Sequence, residues 1–376
     1  MRYCVSIKLT DKTTSFGTLL RREIIVLPAI AVGFVAFFLE HEILGLGSLG
    51  ALLAAAILIG AIIATSVRVA HHAEILAAKV GDPYGSMILT LAAVIVEVVV
   101  LVILMSGSSS PTLARDTIFS AVMLDINGII GLAALLGGWK HGEQPYNNDS
   151  GKTYGVMILT AMSISMIVPE FVPEAKWPLY SGFTIFAMAT LYWVFLRNQV
   201  GAHSYFFNYS YPEKHVADHH DPAKEPFTPS VVLLIVGIVL IGFLAEIMSA
   251  FLTGGLEAIG APLAIAALIV ATISAAPEIL TALRAALADR MQVVINIAMG
   301  ASLSTVILTV PVIEAIALFN GQPIIMAMTP IQTMMVFVTL IVGAINLNDG
   351  ETNAIEGMTH FVLFATFLCL SFLGIA

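Results

Sequence analysis

"LAAVIVEVVVLVILM", residues 91–105, places one charged side chain, Glu97, among fourteen apolar ones. No neighbour in the run can pair with it. The whole chain has the same character: of 376 residues, 59% are hydrophobic and 11% charged, with a mean hydropathy of +0.96. A soluble domain carries roughly 25% charged residues. Eleven apolar stretches approach the ~20 residues that a helix needs to cross a bilayer. They lie near 22–39, 48–67, 85–105, 116–136, 155–172, 180–197, 229–252, 262–287, 292–318, 324–345 and 356–375. A transmembrane barrel would show short alternating strands instead. Helices satisfy their own backbone in lipid, so the expectation is an all-α integral membrane protein with eleven transmembrane helices.

Basic residues set the expected orientation. If the spans alternate, fourteen of the sixteen Lys and Arg fall on one side: Arg2, Lys8, Lys12, Arg21, Arg22, Arg68, Lys79, Lys140, Lys152, Arg197, Lys214, Lys224, Arg284 and Arg290. Arg115 and Lys176 fall on the other. The positive-inside rule then predicts a cytoplasmic N-terminus and, with an odd span count, an external C-terminus. The long polar lead is unlike a cleavable signal. Cys4 and Cys369 would lie on opposite sides of the membrane, so no disulfide and no cysteine metal site is expected.

The most polar segment, "RNQVGAHSYFFNYSYPEKHVADHHDPAKEPFTP" (197–229), divides the chain. Four parts follow: an N-terminal segment with the first helix (1–45), a five-helix unit (46–197), a cytoplasmic histidine-containing loop (198–228) and a second five-helix unit (229–376). The units open alike, with "HAEILAAKVGDPYG" (72–85) and "LAEIMSAFLTGGLEAIGAP" (244–262). Each then has an apolar helix with one glutamate, Glu97 or Glu278. The next span carries small polar residues, "MLDINGIIG" (123–131) or "GASLSTVILTVP" (300–311). Five is odd, so the units would lie inverted, an arrangement typical of secondary transporters with an ion site near the midplane.

A carboxylate at a span centre costs ~2.5–3.5 kcal/mol on insertion scales, so it persists where it faces a protein interior or a watery cavity. Burial favours its protonated form and a bound cation favours its charged form. One carboxylate therefore holds a proton or a cation but not both, which is the chemistry of an antiporter. In "TISAAPEILTAL" (272–283), Pro277 removes a helix hydrogen bond and frees a carbonyl. Carbonyl oxygens are hard ligands suited to Ca²⁺ or Na⁺.

The phrases "GDPYGSMILTLAAVIVEV" (81–98), "PTLARDTIFSAVM" (111–123), "LLGGWKHGEQPYN" (135–147) and "APEILTALRAALADRMQVVINIAMGASLSTVILTVPV" (276–312) resemble the calcium/proton exchanger family of the cation/calcium exchanger superfamily, and most of all its bacterial ChaA-type branch. The resemblance implies one extra helix plus two inverted five-helix repeats. It implies an essential acid in each repeat, here Glu97 and Glu278, with Asn127 and Ser304 completing the site from the following helices. It also implies Ca²⁺/H⁺ or Na⁺, K⁺/H⁺ exchange across a bacterial inner membrane. Three departures are plain: the family's Gly-Asn before each acid is absent, Ile279 stands where a histidine is usual, and Ser304 replaces a common glutamine. Fewer polar ligands loosen the preference for Ca²⁺ and admit Na⁺ or K⁺.

Further residues carry two readings each. Glu97 and Glu278 themselves could simply hydrogen-bond between helices. Asp125 lies two residues from Asn127 and so points roughly the other way, toward a proton path or a structural partner. Glu314 has no counterpart in the first unit and reads as structural. Glu74 and Glu246 share the phrase "AEI" and either guide ions at cavity mouths or end helices. Ser302 is a weaker neighbour of Ser304, and Pro277 contributes through the backbone. His215, His219, His220 and Asp221 form a solvated loop, a pH sensor or a cation-binding cluster. No catalytic cluster of an enzyme and no phosphate loop of an ATP-driven pump is present in the sequence, and no cofactor is called for. The expected partners are inorganic cations, protons and lipid, with no nucleic acid. A channel or a proton-coupled transporter of another small solute is the rival reading.

Overall fold

The computed structural model describes residues 24, 26–80, 84–107, 110–200, 204–207, 209, 227–321 and 324–375. His215, His219, His220 and Asp221 lie outside the described residues, as does Cys4. Eleven apolar helices follow one another: α1 Val26–Phe38, α2 Ser48–Val80, α3 Tyr84–Gly107, α4 Leu113–His141, α5 Asn148–Phe171, α6 Trp177–Val200, α7 Phe227–Ala258, α8 Leu263–Leu287, α9 Met291–Asn320, α10 Pro330–Asn346 and α11 Ala354–Phe372. Nine of them are long and apolar enough to cross a membrane among the described residues. α10, with 17 residues, and the described part of α1, with 13, are shorter than the ~20 needed, where the hydropathy of 22–39 and 324–345 predicts full spans.

The reason for the short α10 is local. Thr329 and Gln332 form a reciprocal capping box with Pro330 in the first turn, which fixes the helix start. The preceding residues run extended and bond sideways. Ile325 N donates to Pro111 O at 2.9 Å, Met328 N to Met166 O at 2.8 Å, and Arg115 Nη1 to Ala327 O at 2.9 Å. An apolar composition thus continues past the point where the helix begins.

Three helices contain a π segment: Leu124–Ile130 in α4, Ser163–Ile167 in α5 and Thr305–Thr309 in α9. The wider turn re-aims the side chains on either side of it. With α1 set aside, the order repeats: a long helix (α2, α7), a glutamate helix (α3, α8), and a helix with a π segment (α4, α9), followed by two more.

Packing separates into two apolar clusters. One joins α4, α5, α6, α9, α10 and α11, and the other joins α1, α2 and α7. α3 and α8, which carry Glu97 and Glu278, contribute to both: Leu101 and Ala282 to the first, Val100 and Val270 to the second. α4 is the central element, with 94% of its most apolar window buried. A two-rung antiparallel ladder, Gln144–Pro145 (β1) with Glu351–Thr352 (β2), ties the loop after α4 to the loop after α10.

α4 and α11 cross with backbones nearly touching. A Cβ on Gly131 would sit 2.7 Å from Phe361 N, and one on Gly357 would sit 2.8 Å from Gly131 O. Small residues let membrane helices approach this closely. Gly357→Leu should therefore lower the thermal midpoint and folded yield of the detergent-purified protein. The expected cost is about 1–3 kcal/mol or more, as for overpacking a filled core. A wild-type midpoint would mean the crossing is looser than described.

Candidate functional site

Glu97 lies on the face of α3 that meets the π segment of α9. Thr305 and Thr309 are four apart, and the wide turn stacks them one above the other. Both hydroxyls donate to Glu97 Oε2, each at 3.0 Å. Glu97 Oε1 is buried and has no hydrogen-bond partner. The carboxylate is only 5% exposed, so this bare oxygen is costly unless something fills the space before it.

Glu278 faces it from α8. Pro277 sits inside that helix and has no N–H to give, so the carbonyl of Ile273 loses its usual donor. Glu278 Oε2 is also enclosed and without a partner. Asp125, from the π segment of α4, is 2% exposed and accepts a hydrogen bond from Ser302 Oγ at 3.1 Å. It lies within direct charge–charge reach of both Glu278 and Glu97.

The three carboxylates line a cavity of about 750 Å³. Ser66, Ser274, Ser304, Thr305 and Pro277 line it as well. Ser66 Oγ is buried without a partner. The cavity runs from these groups to helix ends at Glu74, Gln199, Asn296 and Phe207, and Glu74 is exposed. The carboxylates and hydroxyls gathered at the Glu97 end offer oxygens, the ligand type of Ca²⁺ and Na⁺. Among the described residues, no three His, Cys, Asp or Glu side chains converge closely enough to hold a metal ion, so the carboxylates border the cavity rather than close around a point.

Of the residues singled out in the sequence, Glu97, Glu278, Asp125, Ser304, Pro277 and Glu74 meet at this cavity. Ser302 is buried behind it as the partner of Asp125. Asn127 is turned to the opposite side of α4. Its Nδ2 donates to Thr339 Oγ1 at 2.7 Å, and its Oδ1 is 3.0 Å from His360 Nδ1. Residues two apart lie on opposed faces of a helix, and here Asp125 has the inward one. Glu246 is exposed on α7 and does not line the cavity. Glu314 lies elsewhere, held by Thr184 and Ser181.

Thr305, Thr309 and Ser66 are additions that the sequence reading does not single out. The spacing of "STVILT" (304–309), two threonines four apart in an apolar run, is the signal that points to the first two. Ser66 stands eight residues before Glu74, on the same face of α2.

The model of the sodium/calcium exchanger protein family matches residues 48–201 and 229–373, one stretch on either side of the polar loop. The y4hA protein of Sinorhizobium fredii, named as an ionic transporter, is 32% identical over 353 residues, spanning 92% of this chain and 95% of that protein. The sodium-potassium/proton antiporter ChaA of Escherichia coli is 32% identical over 316 residues, spanning 83% of this chain and 86% of the relative. The crystal structure of the Ca²⁺/H⁺ antiporter YfkE superposes with a TM-score of 0.73 at 15% identity, covering 93% of this chain and 98% of that one, which is a likeness of fold. With two matched stretches that together span most of its length, this multi-pass chain belongs to the sodium/calcium exchanger protein family.

Proposed function

We propose that this protein is a secondary cation/proton antiporter that exports Ca²⁺, or Na⁺ and K⁺, from a bacterial cytoplasm in exchange for protons. The observation that carries the reading is the pair of buried glutamates, one on α3 and one on α8. Each keeps an unpartnered oxygen, and both line one cavity. An oxygen left bare in a dry interior is a place for a proton or a cation to sit. Occupancy by either neutralises the site, and an empty charged site resists passage through the apolar interior. Exchange follows from that rule together with alternating access. The reading needs no cofactor.

Asp125 adds a third negative charge and favours a divalent ion. Ser304, Ser66 and Ser274, which line the cavity, supply neutral oxygens. The relatives' names divide between sodium-potassium and calcium exchange, and a monovalent-only antiporter is the second reading, favoured by the ChaA match. The cavity reaches the side that carries Lys79, Arg197, Arg284 and Arg290, which the positive-inside rule makes cytoplasmic. The N-terminus is then cytoplasmic, the C-terminus external, and α2–α6 and α7–α11 are inverted repeats in the inner membrane. Asn127, in this reading, supports the α4 segment from behind and does not touch the ion.

Three outcomes follow in everted membrane vesicles with a preformed proton gradient, challenged separately with Ca²⁺, Na⁺ and K⁺. Glu97→Gln and Glu278→Gln should each cut cation-induced collapse of the gradient by ~10²-fold or more, while the protein remains folded. Full activity in either variant refutes the assignment. Asp125→Asn should raise the half-saturating concentration of Ca²⁺ more than that of Na⁺, because it removes one of three charges. Equal shifts for the two ions would take Asp125 out of the ion's field. Asn127→Leu should leave both half-saturating concentrations unchanged but lower thermal stability by about 1–3 kcal/mol, since Thr339 and His360 lose a buried partner.

A further inference from the structure

Glu314 is a second kind of buried acid. It is 2% exposed, and among the described residues its hydrogen-bond partners are two hydroxyls and no cation. Both its oxygens are engaged by α6: Ser181 Oγ donates to Oε1 at 3.2 Å, and Thr184 Oγ1 lies 2.6 Å from Oε2. Glu97 and Glu278 line the cavity, and each keeps one buried oxygen without a hydrogen-bond partner. Glu314 has both oxygens engaged, and among the described residues no cluster of three His, Cys, Asp or Glu side chains forms around it.

The hydroxyl of Thr184 has a single hydrogen and more than one acceptor for it. Its Oγ1 is 2.9 Å from Ser181 O and 2.6 Å from Glu314 Oε2. When Glu314 is ionised, the hydrogen points to Oε2 and the carboxylate is fully satisfied. When Glu314 carries a proton on Oε2, that proton is given to Thr184 Oγ1, and the threonine hydrogen swings to Ser181 O. Rotation of one hydroxyl thus satisfies both states without moving a backbone atom. A purely structural carboxylate needs only one of these arrangements.

The location gives the pair a role. α9 lines the cavity from Val293 to Thr305, and α6 lines it from Tyr192 to Gln199. Glu314 and Thr184 lie on the other stretches of these same helices, beyond the end of the cavity. We propose that Glu314, with Thr184 and Ser181, is a proton-binding site of its own on the side of the transport site that the cavity does not reach. It exchanges its proton with water when that side opens: the acid O–H breaks, water takes the proton, and Thr184 turns to the new carboxylate. The titratable side chain facing it is Tyr180 of α6, whose hydroxyl donates to Ile164 O at 2.7 Å. Glu97 of α3 is turned to Thr305 and Thr309. This inference rests on the exchanger reading above.

The test measures cation-driven proton movement in vesicles as the pH of the face opposite the cavity is varied. The variants are Glu314→Gln, Thr184→Val and Thr184→Ser, with Glu97→Gln as the control for the transport site. Glu314→Gln imitates the protonated acid in shape and hydrogen bonding. It should keep the half-saturating cation concentration within about twofold of wild type while flattening the pH dependence. Thr184→Val should flatten the profile in the same way, and Thr184→Ser, which keeps the hydroxyl, should restore it. A wild-type profile in Glu314→Gln, or equal behaviour of the Val and Ser variants, overturns the inference. Exchange persisting in Glu97→Gln would instead sink the transport-site reading, whatever the Glu314 variants do.

Discussion

Glu97 receives two hydrogen bonds on one oxygen and none on the other, and much of the architecture answers to that asymmetry. A carboxylate cannot be left alone in an apolar interior. The two threonines of the α9 π segment hold one oxygen in place and leave the second without a partner. The widened turn stacks these hydroxyls toward α3, and the central position of α4 brings Asp125 to the same space. Glu278 follows a proline inside a helix that stays continuous, so one backbone carbonyl of that turn loses its usual donor. The proposed exchange rests on this local arrangement.

Much of the fold is legible in the sequence because lipid imposes a simple rule on helix composition. Each of the eleven apolar stretches contains a helix among the described residues, and the polar loop separates the two stretches matched by the family. The ends of α10 are not legible that way, because a capping box and a proline start the helix while the hydropathy stays high. Glu97 and Glu278 stand out as lone charges. Asp125 and Asn127 are harder. The sequence says that they point apart but not which one points inward, since that depends on how α4 is rotated against α8, α9 and α11. Thr305 and Thr309 are masked for another reason. Membrane threonines commonly donate to the carbonyl four residues back, as Thr117 and Thr160 do here. Only the four-residue spacing of Thr305 and Thr309 separates those from a pair that reaches across to another helix.

The two kinds of buried acid show how placement sets chemistry. Glu97 and Glu314 are both held by hydroxyl groups deep in the bundle. One keeps a free lone pair toward a space lined by other oxygens, and the other has both oxygens occupied. The hydrogen-bond inventory, more than the residue type, separates a group suited to a cation from a group suited to a proton.

The short β1–β2 ladder has a mechanical consequence. It pins a loop of the first half to a loop of the second, and Tyr146 N adds a bond to Gly350 O at 2.8 Å. The larger apolar cluster is thereby stitched into one frame, with α4 and α11 locked by their glycine crossing. The smaller cluster of α1, α2 and α7 has no such stitch to it among the described residues. No backbone hydrogen bond among the described residues ties that bundle to the frame, and α3 and α8, which carry the glutamates, are the helices that pack against both.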